Sequence, residues 1–592
     1  MSTAVRAPDL RRSGGGGGSG APGARPGLAW GRVLNVVRRH LLIAVLLLLL
    51  TVLIAVPAIA VVVVSFTNDV PGSGTPLHFI WHNYAALWSA DSADALKQSL
   101  ITSVCGSVIA VAIGTGLAVL AVRTNIRGRW LVELTGITPF FFPPLVGALA
   151  WGLLAQSNAG LLNHLFSSLH VPVHLNIATI PGIVFVFGVY YSPYAYLFVS
   201  SALRLFDPQL EEAARVHGAS TATTFRNVTL PMLSPAVLGA GLISFTLMME
   251  NYTIPAMLNT KGNINTLMTR MYALMQNIPS QPNRAAAVGM ILLVVLVVVS
   301  TIQRRMLRGR DFTTVTGKGL RPRTMDLGRF RWVALLGVLV YLVIAVVLPF
   351  LAILNSALRP YMFVSKISDL FDFSTLTLSA VQQVTSTQQF SISLRNTLLV
   401  GVLAAVLGAL FHYVIAYVTT RTKVHGRGLA RFLAIVPIGI PALLMGMGFL
   451  WTWLYIPLPI YGTIAILVLA YIARFTPQGF LSATSVLGAV HADLEDSAVV
   501  SGASRVGAVR AITAPLMRGG IASTVLLLFL LSMRELTVAL FLFTSKTVVF
   551  PIDIYNLWLA GNASAAAAIS AMYSVFLLIV TLAGLKWLRG AV

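Results

Sequence analysis

Apolar residues in this chain gather into long runs rather than the narrow stripe of a water-facing helix, and the runs are long enough to cross a bilayer. Twelve are legible, over about 41–64, 99–122, 131–154, 180–203, 237–256, 285–302, 332–354, 397–418, 429–453, 463–485, 521–543 and 565–587. The third and ninth contain Pro139, Pro143 and Pro144, and Pro437 and Pro441, which predicts kinked helices there. Composition agrees: of 592 residues 57% are hydrophobic and 10% charged, with a mean hydropathy of +0.84. Even a domain of about 300 residues leaves roughly a quarter of its surface wet, so no water-soluble packing hides this much apolar area. The expected class is an all-α polytopic membrane protein. A soluble enzyme, a disordered chain and a disulfide scaffold are excluded, the last because Cys105 is the sole cysteine.

The net charge of +23 would suggest nucleic acid in a soluble protein. Its distribution gives a different answer. Placing the amino terminus in the cytoplasm puts 31 of the 41 Lys+Arg on that side and 8 on the other, with Arg474 and Arg534 inside spans. Basic residues are retained on the cytoplasmic side, so both termini are expected there and no nucleic-acid partner is implied. Residues 1–36, rich in Gly, Ser and Arg, cannot bury a core and read as a disordered cytoplasmic tail. Half one is expected over 37–302, a basic cytoplasmic linker over 303–331, and half two over 332–592.

The chain also repeats itself. Arg123-Thr-Asn-Ile-Arg-Gly-Arg129 recurs as Arg421-Thr-Lys-Val-His-Gly-Arg427, and at the same displacement of 298 Pro139 meets Pro437 and Pro143 meets Pro441. Further along, Pro193 meets Pro477, Gly218-Ala-Ser220 meets Gly502-Ala-Ser504, and Pro231 meets Pro515, displaced by 284. Each copy holds six spans, an even number, so both enter from the same face. The result is two parallel six-helix repeats, with a pathway expected between them.

One loop after the fourth span carries most of the functional signal. Asp207 is a helix N-cap, Pro208 suits the first helical position, and Glu211 and Glu212 favour the positive helix end. Gly218 supplies a stop, and a second short helix from about Ser220 to Val228 is expected to end before Pro231. Glu212-Ala213-Ala214, Gly218-Ala219, Phe225, Val228, Leu230-Pro231 and Pro235 resemble the EAA loop of permease subunits of binding-protein-dependent ABC importers. The second copy keeps Ala498, Gly502-Ala503, Ile512 and Pro515, but has Asp496 for Glu, Ser497 for Ala, Val509 for Phe, Ala514 for Leu and Gly519 for Pro.

The resemblance spans about 95–302 and 392–588 and implies a type I, MetI-like permease fold in a bacterial inner (plasma) membrane. It further implies that each loop docks into a groove of an ATP-hydrolysing subunit, with Glu212 and Asp496 holding the loops and Phe225 as an apolar anchor. The expected partners are two copies of a cytoplasmic ATP-binding subunit, an extracytoplasmic solute-binding protein and the lipid bilayer. No cofactor is expected on this chain and no catalytic residue. The closest approach to an ATP-binding Gly-x4-Gly-Lys-Ser/Thr loop is Gly317-Lys318, with Phe312 where the first glycine belongs and Gly319 where Ser or Thr belongs.

Ionisable groups within spans are costly, about 2.5–3.5 kcal/mol on insertion scales, and invite a functional reading. The candidates are Glu250 and Asn251, Arg474, and Arg534 and Glu535; at displacement 284 Glu250 falls on Arg534 and Asn251 on Glu535. Glu250 and Arg534 are therefore expected to approach each other near the pathway, as a structural ion pair or as a gate or cargo contact. Tyr190, Tyr191, Tyr194 and Tyr196 read as an interfacial aromatic belt, with pathway lining as the alternative. The histidines show no metal-ligand spacing, and no metal site is expected. Two fused halves, with Glu250-Asn-Tyr-Thr-Ile-Pro255 and Arg534-Glu-Leu-Thr537, most resemble ferric-iron permeases; polyamine, thiamine and aminophosphonate permeases share similar segments. A proton- or sodium-coupled secondary carrier is the competing class, and it leaves the paired loops without a role.

Overall fold

A computed structural model describes residues 40–70, 73–85, 87, 89–205, 209–259, 264–307, 325–359 and 372–591. The 1–36 tail, most of the linker and the Asp207–Pro208 helix start lie outside the described residues. Among the described residues, nine unbroken helices and three bent ones are long and apolar enough to span a membrane. In half one they are α1 (His40–Ser65), α2 (Ala90–Arg123), α3 (Arg129–Phe140 bent 95° into Pro144–Ala155), α4 (Ile180–Leu205), α5 (Phe225–Met249) and α6 (Pro282–Ile302). In half two they are α7 (Phe330–Ala357), α8 (Gln388–Arg421), α9 (Arg427–Gly439 bent 117° into Ala442–Tyr455), α10 (Ile464–Gly488), α11 (Arg505–Leu516 bent 74° into Arg518–Met533) and α12 (Ala563–Gly584). No strand occurs among the described residues beyond isolated bridges.

The bends in α3 and α9 follow from their prolines. A residue before proline is pushed out of helical geometry: Phe142, before Pro143, has φ −86° and ψ 113°, and Ile440, before Pro441, has φ −98° and ψ 114°. The bend in α11 was not expected; it falls at Met517, between Pro515 and the Gly519-Gly520 pair. The expected stop before Pro231 does not occur. Helix runs from Thr221 to Met249 through a wide π-turn at Phe225–Thr229, which absorbs the residue lacking an N–H, so α5 begins well before position 237. The equivalent π-turn spans Val509–Thr513.

The spans expected over 237–256 and 521–543 end early. α5 stops at Met249 and α11 at Met533, so Glu250 and Arg534 stand at helix ends inside the protein rather than in helix interiors. After each break a side chain restarts the backbone bonding. Asn251 Oδ1 accepts the Ile254 N–H at 2.9 Å, and Glu535 Oε1 accepts the Val538 N–H at 2.9 Å. These are repeat-equivalent caps made with different chemistry.

The first helix of each half packs on the other half. α1 lies against the second segment of α9, where a Cβ on Gly448 would come within 2.3 Å of the Pro57 carbonyl oxygen. α7 lies against half one: the Tyr341 hydroxyl donates to the Val189 carbonyl (3.0 Å) and bonds the Ser192 hydroxyl (2.5 Å). Replacing Gly448 with Val is expected to force α1 off α9. A loss of about 1–3 kcal/mol, the usual cost of overpacking, would appear as a lower thermal midpoint of the purified chain. An unchanged midpoint would contradict the close contact.

The linker's far end is tied down rather than loose. Met325 bridges to the α2 terminus (Met325 N–H to Arg123 O, 2.7 Å), and Asn125 bonds the Asp326 carboxylate at 2.6 Å. The Gly328 N–H and the Asn125 amide hold the Asp326 carboxyl below the usual carboxylate range.

Candidate functional site

The helix breaks gather charge between the halves. Arg474 stands ten residues into α10, about 15 Å from its start at 1.5 Å per residue. Its guanidinium donates to Glu250 Oε1 of the other half at 2.8 Å and to the Ile440 carbonyl, freed at the α9 break, at 3.1 Å. The pair is mostly buried, at 12% and 8% side-chain exposure, so its attraction is little screened. Arg534 does not meet Glu250 as expected. Its guanidinium carbon lies 4.7 Å over the Phe140 ring of half one. Repeat-equivalent residues sit on opposite sides of the pseudo-two-fold axis and meet only when they lie close to it; off the axis, a residue from another helix intervenes.

The tyrosines are not a lipid-facing belt. α4 is the most buried of the nine unbroken spans, and Tyr190, Tyr191 and Tyr196 are buried within the protein. Tyr191 accepts a bond from the Asn251 amide (2.8 Å) and stacks on Tyr194 (5.7 Å), which packs edge-on against Phe140 (5.4 Å). Two of the four therefore belong to the charge cluster, whose other members are Glu250, Asn251, Arg474, Arg534 and Glu535. Tyr471 donates to the Glu535 carbonyl at 2.9 Å and steadies the second break. On another level of the same interface, the Tyr252 and Tyr555 hydroxyls meet at 2.5 Å and Trp558 donates to the Met257 carbonyl at 3.2 Å.

The two loops fold alike. Helix Gln209–Val216 closes where the Ala219 N–H bonds the Ala214 carbonyl (3.0 Å), and helix Ala492–Val500 where the Ala503 N–H bonds the Ala498 carbonyl (3.0 Å). Both closures need a left-handed residue, supplied by Gly218 (φ 82°) and Gly502 (φ 96°). The repeated Ala-x3-Gly-Ala pattern is thus a helix stop written twice.

The acids expected to hold the loops do not do so. Glu212 is exposed, and Asp496 makes only an exposed 3.5 Å contact with Arg505. The neighbouring Glu211 and Glu495 are buried. Glu211 accepts the Thr229 hydroxyl at 2.8 Å and lies 3.9 Å from the buried Arg123; Glu495 accepts Thr513 at 2.7 Å and Tyr417 at 3.0 Å. On the outer surface of the loops, Val216 and Val500 are 84% and 88% exposed, and Leu210 and Leu494 about half exposed. Phe225 is half-buried at its π-turn. Self-comparison contained the clue: Glu211 and Thr229 repeat identically as Glu495 and Thr513 at displacement 284, whereas Glu212 does not.

Two parallel helical halves, polar groups on their shared interface and matched loops at one end define a polytopic transport protein. Residues 106–312 match the family of binding-protein-dependent transport system inner membrane components. Half one thus carries the permease domain of ABC importers, and the whole chain, with its many apolar spans, is similar to multi-pass permeases of such systems. It is 24% identical to the ferric transport system permease protein FbpB of Actinobacillus pleuropneumoniae, over 82% of this chain and 70% of that one. To the Fe(3+)-transport system permease protein FbpB 2 of Haemophilus influenzae it is 21% identical, over 78% and 84%. The putrescine transport system permease protein PotI of Escherichia coli is 28% identical over 39% of this chain and 78% of its own length.

Proposed function

We propose that this chain is the membrane channel of a ferric-iron importer, powered by two copies of a separate ATP-hydrolysing subunit. The supporting observation is the span of its likenesses: ferric permeases align along 78–82% of the chain, through both halves, while the putrescine permease accounts for 39%. Each loop, with its exposed valine, docks one ATPase copy on the cytoplasmic side, and both termini lie on that side. A binding protein delivers cargo to the opposite face. ATP-driven closure of the motor pair pushes the loops together, and the rigid Glu211 and Glu495 anchors pass that motion into α5 and α11. The cargo then crosses where Glu250 and Arg474 meet.

Reconstitution tests this directly. Proteoliposomes holding the permease and the ATPase, given iron-loaded binding protein, are expected to accumulate iron only with ATP inside the ATPase-accessible compartment. Uptake by the permease alone, or uptake abolished by an uncoupler while ATP persists, would overturn the reading in favour of a secondary carrier.

A further inference from the structure

The charge cluster contains an imbalance of hydrogen-bond donors. Glu250 is engaged by Arg474, and Glu535 spends Oε1 on the Val538 N–H. Arg534 has no such partner: its Nε is buried without a hydrogen bond, and among the described residues no carboxylate lies within 4.0 Å of its guanidinium. The Phe140 ring holds the guanidinium from one face, which orients its planar fork without satisfying it. Tyr191 uses its oxygen as acceptor for Asn251, so its O–H remains to donate. Tyr194 stacks beside it and packs against the same Phe140 ring that Arg534 covers.

We propose that Arg534, Tyr191 and Tyr194 form an oxyanion subsite on the transport pathway, and that cargo crosses with a compact oxyanion attached. A planar guanidinium fork with two phenol donors matches a phosphate, carbonate or carboxylate group. It repels a bare trivalent cation. Among the described residues, no group of three or more His, Cys, Asp and Glu gathers to ligate such a cation either. The site therefore selects a ferric ion already bound by an anion, whose charge offsets the metal and whose oxygens supply the missing acceptors. This rests on the ferric reading for the metal, but the anion requirement stands on Arg534 alone. The rival acceptor is Glu250 Oε2, which has no partner here.

Equilibrium dialysis of radiolabelled inorganic phosphate against the purified full-length chain, without the ATPase, tests the subsite. Wild type is expected to bind one phosphate saturably, Arg534→Gln to bind at least tenfold more weakly, Arg534→Lys to fall between, and Tyr194→Phe to lose about threefold. Equal binding by wild type and Arg534→Gln, or no binding by folded wild type, would overturn the proposal. Because Tyr194→Phe deletes a single hydroxyl, it keeps the test open should Arg534→Gln fail to fold. If phosphate binding follows Arg534 while reconstituted vesicles take up no iron, the subsite stands and the ferric reading falls. If iron uptake proceeds and phosphate binding ignores Arg534, the subsite alone falls.

Discussion

A Glu250→Arg chain is expected to lose iron uptake in reconstituted vesicles, because it sets a second cation against Arg474 in a buried interface. Removing one partner of a buried ion pair typically costs on the order of 3–5 kcal/mol, since the other charge is left uncompensated, and reversal adds repulsion. The double variant Glu250→Arg with Arg474→Glu is expected to recover part of the uptake, since the 2.8 Å contact can reform with its polarity inverted. Pairing Glu250→Arg with Arg534→Glu is expected to recover none, because Arg534 lies over Phe140 instead. Rescue by the second double variant and not the first would show that the functional partner is Arg534.

Loss of Glu211 or Glu495 is expected to loosen the loops from the membrane helices. Ala at Glu495 strands the Thr513 and Tyr417 hydroxyls, and Ala at Glu211 strands Thr229 and leaves Arg123 without its carboxylate. Each unsatisfied buried group costs about 1–3 kcal/mol, enough to lower the thermal midpoint of the isolated permease. In the assembled importer, the same variants should hydrolyse ATP with roughly tenfold less transport per ATP, the signature of a slack lever. Ala at Glu212 or Asp496 should leave the isolated permease unchanged, since both side chains face solvent. Equal destabilisation by all four variants would refute the assignment of anchors.

The sequence revealed what depends on local composition and missed what depends on distant partners. Twelve apolar runs, and the two proline bends, were legible because membrane thickness and a missing N–H act within one segment. The ends of α5 and α11 were not, because apolar residues continue past Met249 and Met533. What stops those helices is local in part, the Asn251 and Glu535 caps, and tertiary in part, Tyr471 on the Glu535 carbonyl and Arg474 across the interface. The tyrosines of α4 were misassigned because an aromatic cluster near a span reads alike whether it faces lipid or protein. Glu211 was overlooked for a different reason. The motif drew attention to Glu212, while burial, which follows from the turn back of α5, selects the residue beside it.

The exchange of α1 and α7 between halves bears on how the polypeptide is made. During synthesis α1 enters the bilayer long before α9, one of its two main packing surfaces, exists, and until then has only α6 of its own half to settle against. The finished molecule resembles two clasped hands more than two beads on a string. A gene divided within the linker should therefore still yield a working pair of polypeptides, and fusion secures equal dosage rather than cohesion.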